Sequence, residues 1–197
     1  MVFRGLLLTG LVCVAVLPAA ARAQGGYGNQ EVPRYEAGVQ FTGIVLTGPF
    51  TTGDLGVGAH FGYNFRRYVS FEADANAFRI GADATHNYHT GEAFFGPRFG
   101  YAFPDVGIYV KVLPGFIHFP KDGDLPPAVL NPATHFALDT GVVLIRYFPN
   151  HVYVRFDGGA TIINYGSGVF VDPVSGERVH LGIRGGPAFS LGVGVHF

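Results

Sequence analysis

His118, His135, His180 and Ser175 fall in or near long polar stretches, and His60 stands where it could oppose Asp74. These are the side chains from which a nucleophile, its base and an orienting acid are built, provided that they reach hydrogen-bond distance of one another. No spacing in the chain predicts that convergence. The simpler reading is solvated or structural histidines, and no catalytic residue is expected. His86-Asn87-Tyr88-His89 sets two histidines three apart, but in a loop without a third ligand nearby in sequence. No metal site and no cofactor are assigned from it.

A second set of residues carries charge rather than catalytic chemistry. Glu72, Asp74, Arg98, Lys111, Asp139, Arg155 and Asp157 each occupy alternate positions in segments whose other members are apolar. If one face of each segment is enclosed, acids and bases so confined must pair or bear a large desolvation cost. The elements that hold them decide what they do.

Those elements are strands. The chain has 30 glycines, 19 phenylalanines and 10 tyrosines with only 14% charged residues. Glycine disfavours a helix by about 1 kcal/mol per position relative to alanine, whereas aromatic and β-branched residues favour strands. A period of two appears eight times. Its apolar sets run from Tyr35 to Val45, Leu55 to Phe65, Val69 to Ala75, Ala93 to Phe103, Val106 to Val112, Phe136 to Leu144, Val152 to Ile162, and Phe189 to Phe197. Each run could cross a bilayer as a tilted strand of about 9 to 11 residues.

Connections alternate in length. Arg66-Arg67, Pro104-Asp105 and Pro149-Asn150-His151 read as tight turns. Thr47 to Gly53, Gly81 to Thr90, Pro120 to Thr134 and Gly166 to His180 read as long loops. Short turns at one end and long loops at the other describe an up-and-down meander with both chain ends on the short-turn side. Phe65, Tyr68, Phe103 and Phe148 are expected at that rim, and Phe78, Phe116, Phe119 and Tyr165 at the opposite one. Pro97 and Pro114 fall inside strands and read as bulges. Arg146 and Arg184 fall on or near the apolar parity, close to strand ends.

Before the strands, Arg4 precedes an apolar run, Gly5 to Leu17, and then Ala21-Arg22-Ala23. This pattern predicts a signal peptide over 1–23, cleaved after Ala23, with 24–33 a flexible lead-in and 34–197 the barrel. Cys13, the one cysteine, lies in the leader, so no disulfide or thiolate site is expected in the mature protein. A formal net charge of −1 offers no nucleic-acid footprint.

Alternation alone fits both a soluble barrel and a membrane barrel. The residues opposite the apolar set favour the second: they include Gly56, Gly58, His60, Gly62, Gly96, Gly100, Gly141, Gly192 and Gly194 beside the charged seven. Glycine gives water little to solvate, but inside a narrow barrel it leaves room for long charged side chains. The apolar set is therefore assigned to lipid.

With those features the sequence resembles the eight-stranded bacterial outer-membrane β-barrels, similar to the OmpA-like transmembrane domain. The likeness is one of pattern over nearly the whole mature chain, and it is most specific in HFALDTGVVLIRYFPNHVYVRFDGGATIINYG, His135 to Gly166, which looks like strands six and seven of such proteins. It implies an all-β, eight-stranded antiparallel up-and-down transmembrane barrel in the outer membrane of a Gram-negative-type bacterium, with both termini periplasmic. It also implies that Phe189, Leu191, Val193, Val195 and Phe197 form the signal read by the barrel-assembly machinery. The partners implied are outer-membrane lipids and lipopolysaccharide. Asp54, Asp83, Asp122, Asp124 and Asp172 could meet the divalent ions that bridge the latter, although solvated loop charges explain them as well. No nucleic acid is expected, and no wall-tethering domain is recognised.

The expected function is a monomeric, non-enzymatic barrel with a filled, charge-paired lumen and four surface loops, serving envelope structure or surface interaction. A small porin-like channel is the alternative, and a lipid A-modifying enzyme the third. Through the Pro104-Asp105 turn Arg98 should face Lys111; Glu72 or Asp74 is expected to neutralise Arg98, and Asp139 to neutralise Lys111.

Overall fold

The structure, a computed structural model, describes residues 33–47, 52–66, 68–81, 90–103, 105–119, 134–171 and 176–197. The leader, the lead-in and most of the tips of the first three long loops, with Ser175, His86 and His89, lie outside the described residues. Ten strands follow in order: β1 (Tyr35–Leu46), β2 (Thr52–Arg66), β3 (Val69–Gly81), β4 (Thr90–Ala102), β5 (Val106–His118), β6 (Thr134–Tyr147), β7 (Val152–Asn164), β8 (Val169–Val171), β9 (Arg178–His180) and β10 (Ile183–His196). Eight of them close into a barrel in the order β1-β10-β7-β6-β5-β4-β3-β2. Every neighbouring pair is antiparallel.

Closure is made by the two ends of the barrel sequence. β1 pairs with β10 from Glu36 opposite His196 to Ile44 opposite Ala188. At the rim, Tyr35 N donates to Phe197 O at 2.8 Å and Phe197 N to Tyr35 O at 3.0 Å. No barrel strand among the described residues is left with a free edge, which is what a spanning sheet requires in hydrocarbon. On the short-turn side, His151 takes φ 60°, the left-handed conformation, as it turns the chain from β6 into β7.

The remaining strands revise one expectation. Gly166 to His180, read as a long polar loop, carries a two-stranded ribbon in which Val169 faces His180 and Val171 faces Arg178. The segment is short, without sustained alternation, so it gives no period to detect.

Pro97 and Pro114 also behave differently from expectation. The β4–β5 ladder is interrupted between Phe94 opposite Gly115 and Arg98 opposite Lys111, then resumes in the same register. No residue is gained or lost, so there is no bulge. Each proline lacks an amide donor, and both fall within the interruption. Their outer neighbours hold them: Pro97 faces Phe71 on β3, and Pro114 faces Leu138 on β6.

Parity sorts the side chains. Val39, Phe41, Val57, Phe61, Phe95, Phe99, Val110, Phe116, Phe136, Leu191 and Val193 are all exposed on the outside of the barrel. The short-turn rim is aromatic: Tyr35 stacks on Phe197 at 5.5 Å, Tyr63 meets Phe65 at 4.4 Å edge-on, and Tyr101 meets Phe103 at 4.4 Å. An outer surface this apolar is unfavourable against water and suited to hydrocarbon.

At the loop end the expected aromatic rim is only partly present. Phe116 faces outward, but Phe78, Phe119 and Tyr165 are buried inside the barrel with Ile44, Leu46, Phe94, Leu113, Ile117 and Ile163. Their positions explain it. Phe78 shares the parity of Glu72 and Asp74, Phe119 that of Lys111, and Tyr165 that of Arg155, and side-chain direction in a strand follows parity. Tyr165 lies just past β7, and burial there pushes its phenol up to about 12. The arginines divide. Arg146 faces outward beside the turn, 3.7 Å from Asp105. Arg184 has the inward parity of Ser190 and folds back to donate to the carbonyls of Leu181 (2.9 Å) and His180 (2.6 Å).

Candidate functional site: the barrel lumen

The inner face of an eight-stranded barrel is just wide enough for side chains to fill. Glycines on that face set how closely the strands and side chains approach. A Cβ on Gly62 would stand 3.0 Å from Glu36 Oε2 and 3.2 Å from Arg98 Nη2, and one on Gly58 would stand 1.7 Å from Asn76 Oδ1. The missing side chains of β2 are the space into which Glu36 of β1, Arg98 of β4 and the Asn76 amide of β3 reach.

Within that space the charged groups form one connected chain. Arg98, on β4, donates from Nη1 to Glu72 Oε2 (2.9 Å), from Nε to Ser70 Oγ (2.7 Å) and from Nη2 to Asn64 Oδ1 (3.1 Å), and its Nη2 also contacts Glu36. Its guanidinium lies over the Tyr109 ring, 4.4 Å from the centroid. Arg155, on β7, grips Glu72 with both terminal nitrogens, Nη1 to Oε2 at 2.8 Å and Nη2 to Oε1 at 2.6 Å. Nη2 also reaches Asp157 Oδ2 at 2.8 Å. That same oxygen lies 2.5 Å from Lys111 Nζ, which donates at 2.5 Å to Asp139 Oδ2.

Glu72 therefore ties two arginines together and Asp157 ties an arginine to a lysine. The bonds cross the lumen from β3 to β7, joining strands that are not neighbours in the wall. Bidentate and charge-assisted geometry of this kind is the strong form of the hydrogen bond. Arg98 and Arg155 are fully buried.

All seven charged residues expected in the lumen are on the inner face, and six of them are in the chain. Asp74 stands at its side, with Oδ2 3.8 Å from both Lys111 and Arg155. It does not contact Arg98, whose carboxylate partners are Glu72 and Glu36. Glu36 was missed by sequence reasoning because β1 was read only for its apolar members. Strict alternation from Tyr35 would have placed Glu36 inside together with Gln40 and Thr42. Asn64 donates to Glu36 Oε1 at 2.9 Å, and Tyr147 donates to the same oxygen at 2.5 Å.

Among the described residues, which do not include Ser175, the histidines do not converge on a serine. His60 is in the lumen, with Nε2 2.6 Å from the Tyr153 hydroxyl. His118 Nδ1 lies 2.8 Å from Thr134 Oγ1 at the exposed loop end. His135 packs between the rings of Phe119 (5.8 Å) and Tyr165 (5.1 Å), and His180 pairs in the β8–β9 ribbon.

The Phe189, Leu191, Val193, Val195 and Phe197 series lies on the outer face of β10, exposed throughout. A closed eight-strand ladder, an apolar outside and a charge-filled inside are now all in place. The fold is that of the eight-stranded outer-membrane β-barrels. Neisserial surface protein A superposes with a TM-score of 0.57 at 11% identity, over 85% of this chain and all (100%) of that one. The outer membrane protein OprG from Pseudomonas aeruginosa gives 0.54 at 11% identity, over 86% and 98%. Ail, the attachment invasion locus protein of Yersinia pestis, gives 0.52 at 11% identity, over 85% and 100%. No family model matches the chain, and no curated protein is similar to it in sequence. At such identity the likeness is one of fold, so the lumen and loops must be read from this chain's own residues.

Proposed function

We propose that this chain is a monomeric integral outer-membrane protein that works as a sealed, non-enzymatic scaffold, holding its long loops at the surface for envelope structure or adhesion. The observation that carries this reading is double obstruction of the lumen. The ion chain from Glu36 to Asp139 crosses the interior on the short-turn side, and the apolar cluster around Phe78, Phe94, Leu113, Ile117 and Phe119 fills it toward the loops. An ion passing through would have to break buried pairs and then cross hydrocarbon-like packing, and each step is costly.

The apolar outer face supports residence in lipid, with lipopolysaccharide as the partner around the loop end and the assembly machinery as reader of the outward β10 residues. The closed ladder supports a monomer, since it leaves no strand edge to recruit a second copy. Single-channel recording from pure protein in planar bilayers tests the seal: silence is expected, and steady openings would replace the scaffold by the small-pore reading. Mass spectrometry of lipid A from cells with and without the protein tests the absence of enzymatic activity: an unchanged acyl pattern is expected, and an altered one would make it an enzyme.

A further inference from the structure

Among the described residues, three side-chain carbonyl or carboxylate oxygens of the lumen are left over by the ion chain. Gln40 Oε1, Asp74 Oδ1 and Glu92 Oε2 are buried without a hydrogen-bond partner within the protein. Their residues are only 5%, 4% and 8% exposed. All three residues line one cavity of about 20 Å³, together with Thr42, Asn76 and Asp139 among others. That is room for a single water-sized occupant. The cavity lies between the ion chain and the apolar cluster: along β3 the inner residues run Asp74, Asn76, Phe78, and along β7 they run Asp157, Thr161, Ile163.

The acceptors are held in place by a relay of amides. Gln40 Nε2 donates to Asn76 Oδ1 at 2.9 Å, and Asn76 Nδ2 donates to Glu92 Oε1 at 2.8 Å. Both amide groups spend donors on neighbours, and the relay leaves Gln40 Oε1 and Glu92 Oε2 unused. A water molecule offers two protons for three acceptors and no net charge.

Charge points the same way. The cavity wall holds Asp74, Glu92, Asp139 and Asp157 against a single base, Lys111. Lys111 is in hydrogen-bond contact with Asp139 and Asp157, and Asp157 also has Arg155. Asp74 has Lys111 and Arg155 only at 3.8 Å, through Oδ2, and Glu92 has no base in contact among the described residues. The tighter acidic triad of Glu72, Asp74 and Asp157, with ligand oxygens within 4.8 Å of one another, is not the place for an ion, because Arg155 already bonds Glu72 and Asp157 there.

We propose that this cavity is a divalent-cation site of the calcium type, with Gln40 Oε1, Asp74 Oδ1 and Glu92 Oε2 as its donors. The donor set is all oxygen, which selects a hard cation. The buried groups of the ion chain and of this cavity are six carboxylates, Glu36, Glu72, Asp74, Glu92, Asp139 and Asp157, against three bases, Arg98, Lys111 and Arg155, an excess that a divalent cation would reduce. Calcium takes about six to eight oxygens in flexible geometry, and the wall offers others beside the three donors, on Thr42, Thr161 and Ser190, whereas magnesium keeps several waters for which a cavity of this size has no room. The ion would enter as the barrel closes and lock the β1, β3 and β4 side chains around it.

Full-length mature protein refolded in detergent with calcium chloride, then passed into metal-free buffer, tests the site. About one equivalent of calcium should be retained by elemental analysis, and the thermal midpoint should exceed that of protein refolded in sodium chloride of equal ionic strength. The Asp74→Asn/Glu92→Gln variant, which removes the repulsion and should fold, is expected to lose both effects. Equal retention by the variant would place the metal on the loops and overturn the proposal. So would equal stabilisation by sodium chloride, or full stabilisation by acid with no metal retained. A conducting barrel could still hold the ion, so this site and the sealed-scaffold reading fail independently.

Discussion

Arg98 and Lys111 face each other directly across the β4–β5 seam, two cations at a single rung of the ladder. Like charges so placed repel. The barrel resolves the conflict by drawing them to different acids: Arg98 to Glu36 and Glu72, Lys111 to Asp139 and Asp157. The stability of the wall therefore depends on carboxylates carried by β1, β3, β6 and β7, and several predictions can be made from that dependence.

Glu72→Ala takes a carboxylate from two buried guanidinium groups at once, leaving Arg98 with Glu36 and Arg155 with Asp157. Removing one partner of a buried ion pair costs about 3–5 kcal/mol, and this substitution is expected to reach the upper part of that range. Urea unfolding of protein refolded into lipid vesicles measures the loss. A loss below about 1 kcal/mol, the scale of an exposed pair, would mean that the lumen is wet.

Lys111→Met removes a base shared by Asp139 and Asp157 and should be strongly destabilising alone. Adding Asp139→Asn to it should recover part of the loss, because one buried charge then needs no partner. A double-mutant cycle is expected to give a coupling of about 0.5–3 kcal/mol. Simple additivity would contradict direct contact.

Gly58→Ala tests the space argument. Its Cβ would come 1.7 Å from Asn76 Oδ1 and 2.6 Å from the carbonyl of Ala75, so both the amide relay and the β2–β3 ladder must shift. A loss of about 1–3 kcal/mol is expected, the usual scale of overpacking. Gly53→Ala, on the same strand with nothing within 4 Å of the added atom, should stay within about 0.5 kcal/mol of the parent.

Phe197→Ala separates stability from assembly. The ring is 63% exposed and stacks on Tyr35 at 5.5 Å, so refolded protein should lose only about 0.5–1.5 kcal/mol. If the residue is also read by the assembly machinery, the yield of heat-modifiable barrel in cells should fall severalfold, much more than that small loss explains. Parallel declines in both measurements would leave Phe197 a purely structural role.

Much of the barrel could be read from the sequence because strand parity is a strict code. Eight alternating runs and alternating loop lengths give the wall, and the glycines opposite the phenylalanines tell inside from outside. The Arg98–Lys111 opposition follows from the tight Pro104-Asp105 turn, since a short turn fixes register. What escaped were features that depend on contacts across the lumen. Asp74 and Glu72 are equally acidic neighbours on one face, and only the stagger of β7 decides that Arg155 grips Glu72. The loop-end aromatics were misplaced for a different reason. Phe78, Phe119 and Tyr165 were assigned by chemistry, as rim residues, when counting by twos from Glu72, Lys111 and Arg155 puts them inside.

The paired prolines interrupt the β4–β5 ladder, a different departure from regularity than the register shifts of β2–β3 at Leu55/Gly56 and Asn64/Arg66. Where the ladder is continuous, as between β5 and β6, a rung broken by thermal motion is flanked by intact rungs that restore it. Beside Pro97 and Pro114 the neighbouring strands supply the cohesion instead, through Phe71 and Leu138. Deformation under bilayer stress should concentrate along this line, and the Arg98–Lys111 rung at its short-turn margin makes the lumen charges the first groups to feel it.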